Sequence, residues 1–345
     1  MPLRFPRPLV VGDLIAITAP SAGVAPALHP RLDLAIAALQ GRGYRVVEGN
    51  CLRASHQHAS SGKAAQAAEL MSFLQDPSVA AVMPPWGGER AIELLPLLDF
   101  SALAAIEPKW FVGFSDLSTL QLPLACLSGW ASLHGPNLME LGATTLDQTT
   151  AALWQVLETP PVNTVVQSPA RLHRKQRADW ASEPAANLLL TEPTRTWRLD
   201  GNSSPLELHG RLIGGCLDTI ARLAGTRYGD VPAFVASSVD GTLLFLENCE
   251  MAPCELLRTL SSLRLHGWFD GLAGVLIGRS AAPDVVSGEG LGYIDALRAI
   301  LNELPCPVLC GLDIGHIPPQ WSLVQGALAQ VVFDGEQATL TMTLS

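Results

Sequence analysis

The residue best suited to covalent chemistry is a serine that lies between an apolar run and a helix-forming stretch. The apolar run predicts a buried strand that ends in Gly113-Phe114-Ser115-Asp116, and residues 117–127 then predict a helix. A serine on such a turn can act as a nucleophile, and the backbone N–H of Asp116 at the helix start would face an oxyanion. A leucine stands where this motif has its second glycine. The alternative interpretation is therefore that Ser115 only caps the helix.

A serine nucleophile needs a base to accept its proton and a carboxylate to orient that base. Eight histidines compete for the first role. Two of them follow predicted strands, namely His316, in the loop Gly-His-Ile-Pro-Pro, and His134. Glu247 closes an apolar strand, where a carboxylate is either buried with a partner or placed at a cleft edge. Glu250 and Glu255 compete with it, so the residues alone leave both roles open.

A pair of glycines follows another apolar run. Trp86-Gly87-Gly88 lacks the lysine of a P-loop and the spacing of dinucleotide-binding glycines, so the sequence does not indicate a phosphate cradle. We interpret it as a tight turn whose backbone N–H groups, that of Gly88 first, approach a reacting carbonyl. Trp180 and Trp197 lie farther along in an irregular segment, where they could stack on a ligand ring or pack against protein.

The elements that would position these residues alternate between strand and helix. Over the first 140 residues, apolar runs of about five residues are separated by longer helical patterns, which predicts βαβ units and a parallel sheet. Prolines interrupt the middle of the chain, and we expect an irregular crossover there that could cover a substrate. Beyond it, residues 211–225 are predicted to be helical and residues 327–342 to form a β-hairpin around Asp-Gly.

This pattern predicts an α/β protein of two domains with a linking segment, as a chain of 345 residues suggests. The first domain, residues 1–157, is a parallel-sheet, Rossmann-like unit that carries the serine. Residues 158–208 form the crossover, and residues 209–345 form a mixed α/β domain.

Composition limits the function classes. The chain is 48% hydrophobic and only 16% charged, which indicates a folded protein. A net charge of −10 argues against nucleic acid or an anionic membrane as the main partner. We expect a cytoplasmic protein, because neither a secretory leader nor an uninterrupted membrane-spanning run is evident.

The cysteines lack metal-ligand spacing, so we expect inert thiols and no metal. They are Cys51, Cys126, Cys216, Cys249, Cys254, Cys306 and Cys310.

Several segments together resemble the serine peptidase family of LD-carboxypeptidases, which includes muropeptide LD-carboxypeptidases and microcin C self-immunity peptidases. They occur in the family's order between about residues 12 and 330. The segments are Gly12 to Ser21, Trp86-Gly87-Gly88, Leu94 to Phe100, Gly113-Phe114-Ser115-Asp116, His134-Gly135-Pro136, Gly214-Gly215-Cys216-Leu217, Leu244 to Asn248, Gly274 to Gly278, and Gly315-His316.

The resemblance implies a Ser-Glu-His triad in which Ser115 attacks, His316 is the base and Glu247 orients it. It implies an active site between the two domains, a homodimer, and no metal or organic cofactor. The N–H groups of Asp116 and Gly88 would form the oxyanion hole. The substrate would be a small peptide, a muropeptide, or a peptidyl or aminoacyl nucleotide. The candidate substrate-binding residues are Trp86, Gly87, His134, Trp180 and Trp197, and the alternative for His134 is a structural role behind the catalytic residues.

The sequence departs from the family pattern in two places. Muropeptide carboxypeptidases often begin the glycine loop with Arg-Gly-Gly-Tyr-Gly, whereas Trp86 begins it here, and the stretch after His316 is a variant of the usual proline-rich tail. With the long middle segment, this favours the microcin C immunity branch. We predict a serine hydrolase that cleaves an amide near a carboxyl end through an acyl-enzyme. The alternative is a catalytically silent, ligand-binding α/β protein of the same fold.

Overall fold

A computed structural model of the chain describes residues 3–176, 178–285 and 290–345. Its strands are β1 (Leu14–Ile17), β2 (Arg45–Glu48), β3 (Val79–Val82), β4 (Trp110–Gly113), β5 (Leu133–His134), β6 (Thr164–Gln167), β7 (Leu172–Arg174), β8 (Leu190–Pro193), β9 (Trp197–Arg198), β10 (Leu206–Cys216), β11 (Thr242–Glu247), β12 (Gly274–Gly278), β13 (Val308–Leu312), β14 (Leu323–Val324), β15 (Leu328–Phe333) and β16 (Ala338–Thr343). Its helices are α1 (His29–Gly41), α2 (Lys63–Gln75), α3 (Phe100–Ala104), α4 (Ser118–Ser128), α5 (Gln148–Glu158), α6 (Leu217–Ile220), α7 (Val231–Ser237), α8 (Pro253–Leu265) and α9 (Tyr293–Leu301). None of the helices in these ranges is both long and apolar enough to span a bilayer.

The first half of the chain forms a sheet with the strand order β14-β5-β4-β3-β1-β2, which we call the N-terminal sheet. Strands β1 to β5 pair in parallel, and β14, from near the end of the chain, pairs antiparallel with β5. Every residue of β3 and β4 is buried, as expected for parallel strands covered on both faces. The predicted parallel sheet is confirmed. The strand order reverses between β1 and β3, where open α/β sheets bind ligands beyond their carboxyl ends.

The second half forms the C-terminal sheet, with the order β6-β16-β15-β10-β11-β12-β13-β9. Its four central strands, β10 to β13, pair in parallel, whereas the outer strands pair antiparallel. The predicted hairpin around Asp-Gly is confirmed as β15 and β16. The mixed α/β character predicted for this half is therefore confirmed as well.

The helix predicted for residues 211–225 is wrong, because the first part of that segment belongs to β10 and only short helical pieces follow it. β10 lies in the middle of the sheet, where both faces of a strand are buried and the alternation that would reveal a strand is lost. Gly214, at φ 151°, lies so close to β11 that an added Cβ would stand 1.8 Å from the carbonyl oxygen of Phe245. This backbone conformation favours glycine and excludes a helix.

The middle segment, residues 158–208, carries more regular structure than the predicted irregular crossover. β6 and β9 form the two edges of the C-terminal sheet, and β7 pairs with β8 in a separate hairpin. These strands have two to four residues each, too few to produce a recognisable pattern between prolines. Residues between β7 and β8 line one cavity of the site described below.

The two sheets share their apolar cores and are joined by a buried glutamine. One core cluster contains Ile15 and Val112 from the N-terminal sheet together with Phe245 from the C-terminal sheet. The Gln325 amide donates to the Gly214 carbonyl at 2.7 Å and accepts from the Gly214 N–H at 3.1 Å. Because Gln325 directly follows β14, this side chain ties the edge of one sheet to the middle strand of the other.

We predict that Gln325→Leu lowers the free energy of unfolding by about 3 kcal/mol, because it leaves a buried N–H and a buried C=O of Gly214 without partners. The measurement is urea denaturation followed by fluorescence and circular dichroism. Gln155→Leu, on the exposed face of α5, is the matched control and is expected to stay within about 0.5 kcal/mol of the parent. Equal effects of the two substitutions would contradict a role for Gln325 in joining the sheets.

Candidate active site

The backbone turns through a left-handed residue just after β4. Ser115 has φ 66°, a left-handed conformation that is costly for a residue with a side chain. A single 3₁₀ turn, Ser115–Leu117, follows it and continues into α4. The Ser115 hydroxyl makes no capping bond to this turn and instead contacts a histidine, so the interpretation of Ser115 as a helix cap is wrong. The turn has the geometry of a nucleophile elbow.

The Asp116 side chain anchors this elbow. Its Oδ2 accepts from the Ser21 hydroxyl at 2.6 Å and from the Ala91 N–H at 2.8 Å, while its Oδ1 accepts from the Thr119 hydroxyl at 3.1 Å. The carboxylate is thus bound to the turn after β1 and to the 3₁₀ turn after the Gly87-Gly88 loop. The sequence indicates a role only for the backbone N–H of this residue, and the anchoring role of its side chain has no local sequence signal.

A second anchor, also missed from the sequence, is Asn137. Its Oδ1 accepts from the Phe114 N–H at 3.1 Å, and its own N–H donates to Glu140 Oε2 at 2.9 Å. The two side chains form a reciprocal cap on the 3₁₀ turn Leu138–Gly142, and the Asn-x-x-Glu spacing is a signal that could have revealed it. Burial raises the pKa of Glu140 to about 7, so this carboxyl group titrates near neutrality.

The structure brings Ser115, His316 and Glu247 together. His316 Nδ1 lies 2.8 Å from Glu247 Oε2, and His316 Nε2 lies 2.9 Å from Ser115 Oγ. Ser115 follows β4 of the N-terminal sheet, whereas Glu247 ends β11 and His316 lies in the loop after β13. Both His316 and Glu247 are buried, so water competes little with the bond between them. Among the described residues, neither of the competing carboxylates, Glu250 and Glu255, forms an ion pair with His316, and Glu255 pairs with Arg222 instead.

The charges of the pair stabilise each other. Burial acts to lower the pKa of His316, but the Glu247 carboxylate together with Cys249 outweighs it and raises this pKa to about 10. Burial likewise acts to raise the pKa of Glu247, and His316 reverses this, so that the pKa is lowered. The carboxylate fixes a proton on Nδ1, and the assignment follows from the hydrogen bonds. Nε2 of the neutral ring is then the atom that can accept a proton from Ser115.

Two arginines hold the loop that carries His316. Arg279, which follows β12, is buried, forms an ion pair with Asp313 and donates to the Ile317 carbonyl at 2.8 Å. Arg174, at the end of β7, donates to the His316 carbonyl at 2.9 Å. Neither arginine was singled out from the sequence, because nothing local in their segments indicates contact with a loop more than 30 residues away.

Two cavities meet at Ser115. One, of about 440 Å³, is mainly apolar and the other, of about 410 Å³, is more polar. Lining the first are Trp86, Phe114, Met139, Trp180, Leu188 and Leu189, with Asn137, Glu140, Arg174 and His316 as polar groups. Lining the second are Asp116, Thr119, Cys216, Asp218, Arg222, Cys249 and Glu250, among others. A ligand bound across Ser115 would therefore place an apolar part on one side and a polar part on the other.

The Gly87-Gly88 loop leaves room beside the serine. A Cβ on Gly87 would stand 2.7 Å from the Asp116 nitrogen and 3.0 Å from Ser115 Oγ, so the missing side chain keeps that space open. An atom there would lie within reach of both the nucleophile and the N–H donor. The side-chain position of Gly88 points elsewhere, toward the Ser21 hydroxyl.

The remaining predicted site residues divide into two groups. Trp86 and Trp180 line the first cavity, and the Arg31 guanidinium lies over the Trp180 ring at 4.5 Å. His134 is fully buried beneath Phe114 and lines neither cavity, so its predicted substrate contact is wrong; burial lowers its pKa to about 4. Trp197 is also misassigned, because it pairs with β13 at the far edge of the sheet and lines cavities that exclude Ser115.

Both halves of the chain match models of a known protein family. The family model described as the LD-carboxypeptidase N-terminal domain matches residues 15–135, and that of the LD-carboxypeptidase C-terminal domain matches residues 209–331. The microcin C7 self-immunity protein MccF of Escherichia coli is 25% identical over 97% of this chain and 94% of its own length. The murein tetrapeptide carboxypeptidase of Pseudomonas aeruginosa is 27% identical over 72% of this chain and 70% of its own.

Solved structures share the fold. Wild-type MccF without ligand superimposes with a TM-score of 0.84 at 23% identity, covering 99% of this chain and 98% of that one. The muramoyltetrapeptide carboxypeptidase of Oxalobacter formigenes gives a TM-score of 0.73 at 23% identity, covering 96% and 99%. Since the two family models together match more than half of its residues, the chain belongs to the LD-carboxypeptidase family of serine peptidases.

Proposed function

We propose that the protein hydrolyses an amide bond near the carboxyl end of a small substrate, with Ser115 as nucleophile, His316 as base and Glu247 as the group that orients His316. The observation that carries this proposal is the unbroken chain of hydrogen bonds from Glu247 through His316 to Ser115, at 2.8 and 2.9 Å. The strained turn at Ser115 supports it, since a silent binding protein would not need that turn, and the two cavities that meet there give a substrate room beside the serine.

The reaction has two steps. Ser115 Oγ attacks the amide carbonyl while His316 Nε2 takes the hydroxyl proton; the same proton then passes to the leaving nitrogen, the C–N bond breaks, and an ester to Ser115 remains. In the second step His316 takes a proton from water, the resulting hydroxide attacks the ester, and Ser115 recovers its proton as the acid product leaves. Glu247 stays ionised throughout and stabilises the transient imidazolium.

The developing oxyanion needs donors in a site that excludes water. The N–H of Asp116 is one donor, because the space that Gly87 leaves open lies 2.7 Å from its nitrogen. We assign the N–H of Gly88 as the second. Each such donor contributes about 2.7–4 kcal/mol of transition-state stabilisation.

The first cavity favours a leaving group with a flat ring. Trp86 and Trp180 offer aromatic faces there, and Arg174 offers a positive charge for a phosphate or sulfamate. A solved structure of MccF, with a TM-score of 0.84, contains aspartyl sulfamoyl adenosine. We therefore propose an aminoacyl or peptidyl nucleotide conjugate as the substrate class, cleaved at the bond between the acyl group and the nucleotide.

A muropeptide is the second candidate, and the second cavity favours it. Asp218 and Glu250 place carboxylates on the side of Ser115 opposite the tryptophans, where an ammonium group of an acyl residue could bind. The named murein tetrapeptide carboxypeptidase among the relatives agrees with this, and the role would then be peptidoglycan recycling.

We also propose a cytoplasmic homodimer. Its seven free thiols persist most readily in a reducing compartment, and light scattering measures its mass.

Ser115→Ala is expected to reduce kcat by about 10⁶-fold on the true substrate, because the nucleophile is lost while the cavities remain. The assay offers the parent enzyme a sulfamoyl adenosine carrying an aminoacyl group and, separately, a muropeptide tetrapeptide, with products identified by mass spectrometry. Ser101→Ala, on the exposed side of α3, is the control and should retain the parental rate. Undiminished turnover by the folded Ser115→Ala variant would refute the assignment.

The pH dependence of kcat/KM should have an acidic limb above the ordinary histidine pKa of 6.5. Only the unprotonated ring accepts the serine proton, and Glu247 raises the pKa of His316, so activity increases with pH through this raised value. In Glu247→Gln the charge is lost, and the limb should move to lower pH while kcat falls about 10⁴-fold. If the acidic limb lay at the same pH in both proteins, it would report the pKa of a group other than His316.

Gly87→Ala is expected to lower kcat/KM by about 10²–10³-fold, because the new methyl group fills the space beside the Asp116 N–H where the oxyanion would lie. Gly41→Ala, at the end of α1 where an added Cβ meets nothing within 4 Å, is the matched control. Full activity of Gly87→Ala would show that the oxyanion does not lie in this space.

A further inference from the structure

Three buried side chains of different chemistry meet behind the candidate nucleophile. The Cys216 thiol, the Glu247 carboxylate and the His316 imidazole each offer a donor atom, and these atoms lie within 4.8 Å of one another. All three residues are buried. Over the described ranges, no other group of three histidine, cysteine or acidic side chains lies at this spacing. Cys216 ends β10 directly beside Glu247 at the end of β11, so the parallel register itself creates the cluster.

We propose that Cys216, Glu247 and His316 form an inhibitory Zn²⁺ site, in which the metal occupies the catalytic histidine and stops hydrolysis. The inhibition rests on the proposed function, whereas metal binding does not. Thiolate, imidazole and carboxylate are the ligands zinc takes in proteins, at roughly 2.0–2.3 Å in a tetrahedral arrangement. Tetrahedral zinc places such donors roughly 3.3–3.6 Å apart, so shifts of about 1 Å would complete the site.

The cluster has unused coordinating capacity. Glu247 Oε1 is buried and has no hydrogen-bond partner among the described residues, although Cys216 lies against the same carboxylate. Cys249 lies outside this group of three donors and lines the adjoining second cavity. An unpaired buried carboxylate oxygen costs free energy, and a bound cation would remove that cost.

The second cavity provides an entry path. Cys216 and Cys249 line it together with Asp218 and the exposed Glu250, so it connects the cluster with solvent. Carboxylates along a cleft raise the local concentration of a divalent cation. A metal would therefore approach from the side opposite the tryptophans of the first cavity.

Binding would disable the base whichever ring nitrogen is used. On the Glu247 side, the metal takes the lone pair of Nδ1, the single proton of the neutral ring moves from Nδ1 to Nε2, which faces Ser115, and the Cys216 thiol releases its proton to solvent. A protonated Nε2 cannot accept from the serine. Coordination through Nε2 would occupy that lone pair directly. Because protons are displaced, zinc should inhibit more strongly as pH rises.

The binding test uses the purified full-length protein and needs no substrate. Co²⁺ added without oxygen should produce a thiolate-to-cobalt charge-transfer absorption that zinc abolishes at one equivalent. Cys216→Ala should lose this absorption, and Cys254→Ala, which removes an exposed thiol on α8, should keep it. Cys216→Ser serves as a second variant should alanine impair folding. No thiolate absorption in the parent, or its persistence in both Cys216 variants, would overturn the proposal.

The inhibition test uses whichever substrate the parent protein hydrolyses. Zn²⁺ should inhibit reversibly, and EDTA should restore the rate. In Cys216→Ala the zinc concentration that halves the rate should rise at least about tenfold, where the rate is compared with that variant's own rate without metal. Loss of a residue that only supports a metal ligand already weakens metal binding by this factor. Equal zinc sensitivity of parent and variant would overturn the proposal. Failure of the proposed function would appear differently, as absence of hydrolysis alongside an intact cobalt spectrum.

Discussion

The hydrogen bond between His316 and Glu247 is the contact on which the rest of the site depends. It lies between the ends of β11 and the loop after β13, both in the C-terminal sheet, while the serine it serves belongs to the N-terminal sheet. A separation of 2.9 Å between His316 and Ser115 therefore requires that the two sheets be fixed relative to each other. The shared apolar core and the Gln325 amide meet that requirement.

Polar groups hold each partner of this bond, and their interactions are strong because water is largely excluded from the buried pair. Glu247 loses hydration when buried, and the charge of His316 compensates for it. His316 is held from its backbone side by Arg174 and through its loop by Arg279. On the other side, Asp116 and Asn137 hold the serine turn. Ser115 and His316 thus meet because two independently anchored turns face each other at the boundary between the sheets.

The elements that could be predicted from the sequence are those with local signals. β4 and β11 are uninterrupted apolar runs that end in chemically distinctive residues, and Ser115 and Glu247 were found there. β10 was mistaken for a helix because a central strand shows no alternation. The pairing of His316 with Glu247 came from resemblance, since 69 residues separate them. Trp197 was misassigned because composition reveals an unusual residue without showing which face of the fold it occupies.

The cysteine beside the triad shows why spacing along the chain could not indicate metal chemistry. Cys216, Glu247 and His316 are far apart in sequence and converge only because parallel strands end at one sheet edge. The properties that make His316 a base, a directed lone pair and a fixed tautomer, also make it a metal ligand. A carboxylate placed to orient it is itself a second ligand. The Cys216 thiol is therefore the one donor in the proposed zinc site that the proposed hydrolysis does not use.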